Sequence, residues 1–233
     1  MEYIVKDGMM KRFWILLLVV LTSVSLFSKE SLMTYPAPQG AALNDDFTVR
    51  VRQKGGEWRA LSTYLVKVDE VKNTRHHVEN ASMATFDFSG TVEVAVTYNK
   101  GKVNTARIRP LSHNISSQIE DQTVVFSLSR PCNLSVEVNG DIFHNLHLFA
   151  NPFEESVPDK NDPDVLYYAP GIHTFENGEL RVPSGKTVYL AGGALLMGRV
   201  VIENVHDVKL TGRGIIDHTG KGGIKIAIHR MYT

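Results

Sequence analysis

A chain with a single cysteine, Cys132, can form no intrachain disulfide. Stability must then come from core size, and 43% hydrophobic residues in a chain of 233 suffice for one large domain or two small ones. Cys132 follows Pro131 at the head of an apolar-alternating run with no basic partner near it, so it reads as a buried structural thiol. Net charge is lacking as well, since 25 Lys plus Arg face 25 Asp plus Glu. Without a basic field nothing holds a phosphate backbone, which argues against nucleic acid as the main partner, and nothing binds a membrane by charge. The apolar run from Phe13 to Leu21 is too short for stable membrane insertion. Between Gly178 and Asp217 no run of helical length with a 3.6-residue period occurs, which argues against a leucine-rich or helical repeat.

What the N-terminus does have is the order of a secretory signal. Lys11-Arg12 precedes the apolar run, and the small residues Thr22, Ser23 and Ser25 follow it. Glu2 and Asp7 are unusual ahead of such a run, which points to a start at Met9 or Met10, with cleavage after Ser25 or Ser28. Residues 1–28 are therefore expected to be a signal peptide and the protein to be secreted or periplasmic.

Period-2 patterns dominate the next stretch. Phe47, Val49 and Val51 alternate with Thr48, Arg50 and Arg52; Val92, Val94, Val96 and Tyr98 repeat the pattern. A strand pair is expected between Trp58 and Val71, and Asn99-Lys-Gly101 is expected to turn the chain back into Thr105 to Leu111. Val124, Phe126 and Leu128 predict one more strand, and Leu134, Val136 and Val138 another. Asn139-Gly140 is a hairpin turn leading into Ile142, Phe143, Leu146 and Leu148. About eight short antiparallel strands with turns between them describe a β-sandwich over 35–150. Pro152, Pro158, Pro163 and five acids then make an extended linker over 151–164.

From Gly178 to Asp217 the sequence repeats itself. Val188-Tyr-Leu-Ala-Gly-Gly-Ala-Leu-Leu-Met197 lies over Val208-Lys-Leu-Thr-Gly-Arg-Gly-Ile-Ile-Asp217 at an offset of 20 residues, and Glu179 to Val182 lies over Arg199 to Ile202 at the same offset. Short β-branched runs at that period, broken by Gly, predict stacked rungs of a parallel β-helix, with Val188 and Val208 neighbours on adjacent laps. The β-helix is expected over 165–233 and to be incomplete: after Asp217 the pattern fails, Ile224 to Ile228 offers one possible strand, and no cap is visible. The expected fold is therefore all-β, a sandwich followed by the first rungs of a truncated solenoid.

Leu148 to Asp217, about 70 residues, resembles the start of polysaccharide-degrading β-helix enzymes. The pieces that carry the likeness are Phe149-Ala-Asn-Pro152, Tyr167-Tyr-Ala-Pro-Gly-Ile-His173, Ser184 to Ala194, and Gly212-Arg-Gly-Ile-Ile-Asp217. Together they look like the dextranase-like glycoside hydrolases of family 49, which carry a β-sandwich ahead of the catalytic solenoid. Polygalacturonases of family 28 share the solenoid and a similar Gly-x-Gly-x-Ile-Asp turn. The resemblance implies a right-handed, pectin lyase-like β-helix and an exported enzyme that hydrolyses glycosidic bonds of a dextran-like or pectin-like polysaccharide with inversion. In such enzymes one Asp protonates the leaving oxygen and another carboxylate, across roughly 6.5–9.5 Å, activates water. Those residues lie several rungs further along in the family, and no Gly-His-Gly or Arg-x-Lys site follows Asn139-Gly-Asp141, so the chain is expected to be inactive alone. A polysaccharide lyase on the same scaffold, or a non-catalytic β-helix adhesin or carbohydrate-binding module, are the alternatives.

No catalytic, cofactor-binding or metal-binding residue is assigned, and no cofactor is expected. Asn139-Gly-Asp141 matches a family Asn-x-Asp but reads as turn geometry, and Asp45-Asp46 as a solvated turn. Asp217 is placed at a solenoid corner, bonding local backbone. His144 and His147 on a strand would face opposite ways, His76-His77 falls in a polar loop, and Asp159 to Asp164 has Pro163 where a calcium loop would not. Trp58, Tyr167 and Tyr168 could stack on sugars but read as core. Asn80, Asn114 and Asn133 fit the glycosylation triplet.

Overall fold

The computed structural model describes residues 31–217 and 225–227. The expected signal segment, with its start at Met9 or Met10, and the glycines after Asp217 lie outside the described residues. No described helix is long and apolar enough to cross a membrane.

Eleven strands come first: β1 (Leu32–Thr34), β2 (Phe47–Gln53), β3 (Arg59–Ala60), β4 (Tyr64–Lys72), β5 (Arg75–Phe88), β6 (Val92–Tyr98), β7 (Ala106–Arg109), β8 (Ser117–Glu120), β9 (Thr123–Leu128), β10 (Cys132–Val138) and β11 (Asp141–Asn151). One sheet has the order β1-β5-β11-β10-β7 with β4 also on β5, and the other β3-β2-β6-β9-β8. Period-2 alternation aims Phe47, Val49 and Val51 of one sheet and Phe86, Phe88, Leu146 and Leu148 of the other into a shared core. Each of these side chains is at most 2% exposed, worth roughly 1.5–3 kcal/mol apiece on burial.

Three expectations about this region need correction. The polar stretch holding His76-His77 is not a loop: it opens the 14-residue β5, which pairs with β4 through Asn73-Thr74, both at positive φ. The turn after β6 does not make a hairpin, because β7 belongs to the opposite sheet, on β10. The strands are not all antiparallel either, since β11 runs parallel to β5, pairing Leu146 with Ser82. By contrast Asn139-Gly140 does join β10 to β11, at φ 55° and 80°, the backbone of a two-residue type I′ turn.

Seven strands follow: β12 (Val165–Tyr168), β13 (Gly171–Arg181), β14 (Thr187–Leu190), β15 (Ala194–Glu203), β16 (Lys209–Gly212), β17 (Ile215–Asp217) and β18 (Lys225–Ala227). All their pairings are parallel, β12-β14-β16 in one sheet and β13-β15-β17, with β18 on β15, in the other. β15 bends at Gly198, so that Met197 pairs with Thr174 while Arg199 pairs with Glu179. Each long strand thus serves two walls of a coil, and the stack buries Val188, Leu190, Leu196 and Val200 at its centre.

The lap is not uniformly the expected 20 residues: Gly171 pairs with Ala194 at an offset of 23 and Val201 with Lys225 at 24. Leu195 pairs with Ile215 at the anticipated 20-residue offset, but Val188 pairs with Leu210, not Val208, at an offset of 22. The corner explains the difference: five steps separate Leu190 from Leu195, and only three separate their partners Gly212 and Ile215. Asp217 ends the strand β17 opposite Met197, the residue just before the bend at Gly198.

Candidate functional site

A buried polar cluster lies on the seam where the sandwich meets the coil. Asp87 alternates with Phe86 and Phe88 on β5, yet it is 1% exposed. A carboxylate so buried must be paired and hydrogen-bonded to persist. Arg213, in the corner between β16 and β17, donates from Nε to both Asp87 oxygens at 2.8 Å and from Nη2 to the Pro152 carbonyl at 2.6 Å. The Tyr35 hydroxyl also bonds Asp87, and burial first, with that carboxylate second, pushes the phenol pKa well above its usual value.

Two glycines make the seam possible. A Cβ on Gly192 would stand 1.9 Å from the Tyr35 ring, so only glycine lets the ring lie on the coil. Gly212 has φ +119°, and its Cβ would stand 2.0 Å from the Leu190 carbonyl oxygen. That oxygen accepts from Arg213 N at 2.8 Å and Gly214 N at 3.0 Å, which fixes the corner that aims Arg213. The linker is held to the coil too. Tyr189 donates to Glu154 at 2.8 Å; burial, then this carboxylate, raises its pKa. Lys186 holds Asp164 and the Pro163 carbonyl, both at 2.8 Å.

Beside this cluster the seam leaves two openings. The larger, about 460 Å³, is lined chiefly by Tyr64, Leu65, Met83, Leu195 and Ile215, with Lys67 and Asp217 as its charged residues. The smaller, about 190 Å³, lies against Arg213, Asn151 and Phe149. On the coil itself Glu179 is clamped by Arg199 from the next rung and by Arg181 at 2.8 Å. Desolvation pulls its pKa up, but the two guanidiniums prevail and hold it below the usual carboxylate value. Such a carboxylate is a poor general acid.

The other candidate residues are dispersed. Asp45 and Asp46 share Lys100 at 2.8 and 3.2 Å in the turn ahead of β2. Asp141 accepts from the Phe143 and His144 amides at 2.9 Å, an Asx turn that starts β11. The His144 ring lies between Asp141, at 2.9 Å, and Glu79, at 3.1 Å, while His147 is on the other face, half-buried with its pKa lowered by desolvation. His76 bonds Asp69 at 2.5 Å. Asp159 and Asp162 each cap a local backbone amide. Among the described residues no three His, Cys, Asp or Glu side chains converge to hold a metal ion.

Trp58 is half-buried under the guanidinium of Arg52, 4.3 Å from its ring centre. Tyr167 stacks on Tyr189 at 5.1 Å and Tyr168 packs edge-on to Phe175 at 5.9 Å. Asn80 lies on β5 beside Lys67, Asn114 in a left-handed turn, and Asn133 exposed on β10. Cys132 is half-buried rather than fully buried and, contrary to expectation, has a basic residue beside it: desolvation pushes its thiol pKa up against the opposing charge of Arg130. Sequence reasoning missed the Tyr35–Asp87–Arg213 cluster. Its one legible signal was an Asp between two phenylalanines on a strand.

A sandwich of two sheets followed by stacked parallel rungs defines an all-β class in which the second unit is a β-solenoid. Dex49A from Penicillium minioluteum is similar in fold, with a TM-score of 0.53 and 18% sequence identity over 79% of this chain and 47% of that one. The chain thus spans about half the length of Dex49A. No family model and no curated protein sequence matches the chain.

Proposed function

We propose that this chain forms the sandwich and opening coils of an exported glycoside hydrolase that cuts an extended polysaccharide, dextran-like before pectin-like. The observation that carries the reading is the likeness in fold to Dex49A of a chain that sets a sandwich first and a parallel coil second. The coil is taken to be right-handed, the hand that parallel crossovers overwhelmingly adopt. Rungs spaced by about 4.8 Å set side chains in columns, and Thr174, Met197 and Asp217 form one such column across three rungs. A wall of that kind matches a linear sugar chain, and inversion needs two carboxylates about 6.5–9.5 Å apart across it.

Within the described residues Glu179 is neutralised by two arginines and Asp217 lines the seam. The 233-residue chain is therefore expected to bind polysaccharide without cleaving it. Affinity electrophoresis tests this: the chain should be retarded in gels containing dextran, and unchanged mobility in dextran and polygalacturonate alike would contradict the reading. Reducing-sugar release by the pure chain would overturn its inactivity, and an unsaturated product would move the assignment to elimination.

A further inference from the structure

The sandwich has an open groove of about 540 Å³ on the side of β9 and the edge strand β8, away from the polar cluster of the seam. That size falls within the roughly 300–1,000 Å³ typical of small-molecule sites. Its floor is the outward side of β9, where Ser127 stands opposite Glu93 and Val125 opposite Gln118. Residues of the turn 113–116, with Arg130 and Cys132, complete its lining.

The polar side chains here behave differently from those elsewhere on the same sheet. Further along its outer face Thr97 is paired with Thr123 at 2.9 Å, and at the groove itself Glu93 is held by Arg52 at 2.6 Å. In the groove His113, Ser116, Gln118, Ser127, Ser129 and Arg130 line the surface, and among the described residues none has a side-chain hydrogen-bond partner. Nothing therefore fixes the tautomer of His113, whose Nδ1 is buried and unbonded. The lining offers donors and acceptors in close alternation, mostly neutral, because Glu93 is already spent on Arg52. That is a poor match for a phosphate cluster, which needs several cations, and for an alkyl chain, which needs an apolar wall. It matches a ligand that presents many hydroxyl groups, each able to donate and accept.

We propose that this groove is a saccharide-binding site of the sandwich itself, taking a short oligosaccharide; the choice of ligand rests on the polysaccharide reading above. The site would hold a sugar chain on the accessory domain independently of whatever the coil does to it.

Cys132 supplies the test, because it is the chain's one cysteine and lines the groove. Maleimide labelling of Cys132 in the full chain is followed with and without isomaltotriose or trigalacturonate, with glycerol as the control. One of the two saccharides should slow labelling about tenfold when present at about ten times its Kd, by simple mass action. Ser127→Trp, at an exposed position, should fill the groove and abolish saccharide binding measured by calorimetry, while Gln118→Ala should weaken binding several-fold. No protection by either saccharide, or binding undiminished by Ser127→Trp, overturns the proposal. The two readings fail separately. Dextran retardation that survives in Ser127→Trp, without Cys132 protection, removes the groove and leaves the coil reading. Cys132 protection by trisaccharide without dextran retardation leaves the groove and removes the coil reading.

Discussion

Replacing Arg213 by alanine tests the seam most sharply. The substitution leaves the Asp87 carboxylate, 1% exposed, with only the Tyr35 hydroxyl as a side-chain partner. Breaking a buried ion pair from one side typically costs about 3–5 kcal/mol, because the remaining charge stays desolvated. Arg213 is itself only 18% exposed at its side chain, so solvent screening recovers little of that. The cost should fall on the coil more than on the sandwich, since each has its own apolar cluster. Hydrogen exchange read by peptide mass spectrometry should show β14 and β15 opening on the order of a hundredfold more readily in Arg213→Ala, with β2, β6 and β9 nearly unchanged. Asp87→Asn removes the stranded charge, so adding it to Arg213→Ala should return most of the lost protection, a coupling of about 2 kcal/mol or more. Exchange in β14 and β15 within threefold of wild type would refute the idea that this pair fastens the coil.

Further outcomes follow from other positions. Gly212→Ala should prevent a stable coil, because its Cβ would lie 2.0 Å from a backbone oxygen, whereas Gly55→Ala, with nothing within 4 Å, should cost only about 1 kcal/mol; thermal melts of the two compare them directly. Gly192→Ala should be rescued in part by Tyr35→Ala, since the ring is what the new methyl meets. Leu196→Ala, fully buried between rungs, should lose about 2–5 kcal/mol in urea unfolding. His144 should make stability pH-dependent. The hydrogen bond with Asp141 first, and Glu79 after it, raise its pKa above 6.5 against desolvation, so its contribution is complete below that value and lost as pH rises through the raised one. With the ring 44% exposed the loss is at most about 1 kcal/mol. His147, lowered by burial, acts in the opposite sense, its penalty growing as pH falls below 6.5, so the wild-type profile minus that of His144→Gln isolates the effect. A flat difference would contradict it.

Much of this fold could be read from residue order, and the misses have physical causes. β2, β6, β9 and β10 were legible because their apolar residues alternate along the chain, although Ala95 of β6 and Glu137 of β10 are buried on the second face as well. β5 was not, because its first half projects as a two-sided polar hairpin with Val71 and Val78 exposed, and because Asn73-Thr74 places a β-branched residue at positive φ. The parallel pairing of β5 with β11 joins segments more than sixty residues apart, which local pattern cannot show. In the coil the 20-residue offset was visible because Leu195 and Leu196 do stand over Ile215 and Ile216, but aligning letters hid a two-residue change of corner length that moves Val188 onto Leu210. Of the glycines that break the β-branched runs, Gly212 shapes a corner, while Gly192 admits Tyr35 from a distant segment. Asp87 carried no motif and Arg213 fell at the variable position of the Gly-x-Gly-x-Ile-Asp turn, since a buried pair is defined by the partner that folding brings to it.

The last third of the chain coils with each lap resting on the one before. Nitroxide labels at Thr187→Cys and Lys209→Cys, in a Cys132→Ser background, test it directly by continuous-wave electron paramagnetic resonance, because these residues are paired on adjacent rungs. Strands about 4.8 Å apart predict strong dipolar broadening for that pair, and more than for Thr187→Cys with Asp207→Cys. Narrow lines from the Thr187–Lys209 pair, in a protein that otherwise retains its β structure, would contradict the coil and with it the polysaccharide reading built on it.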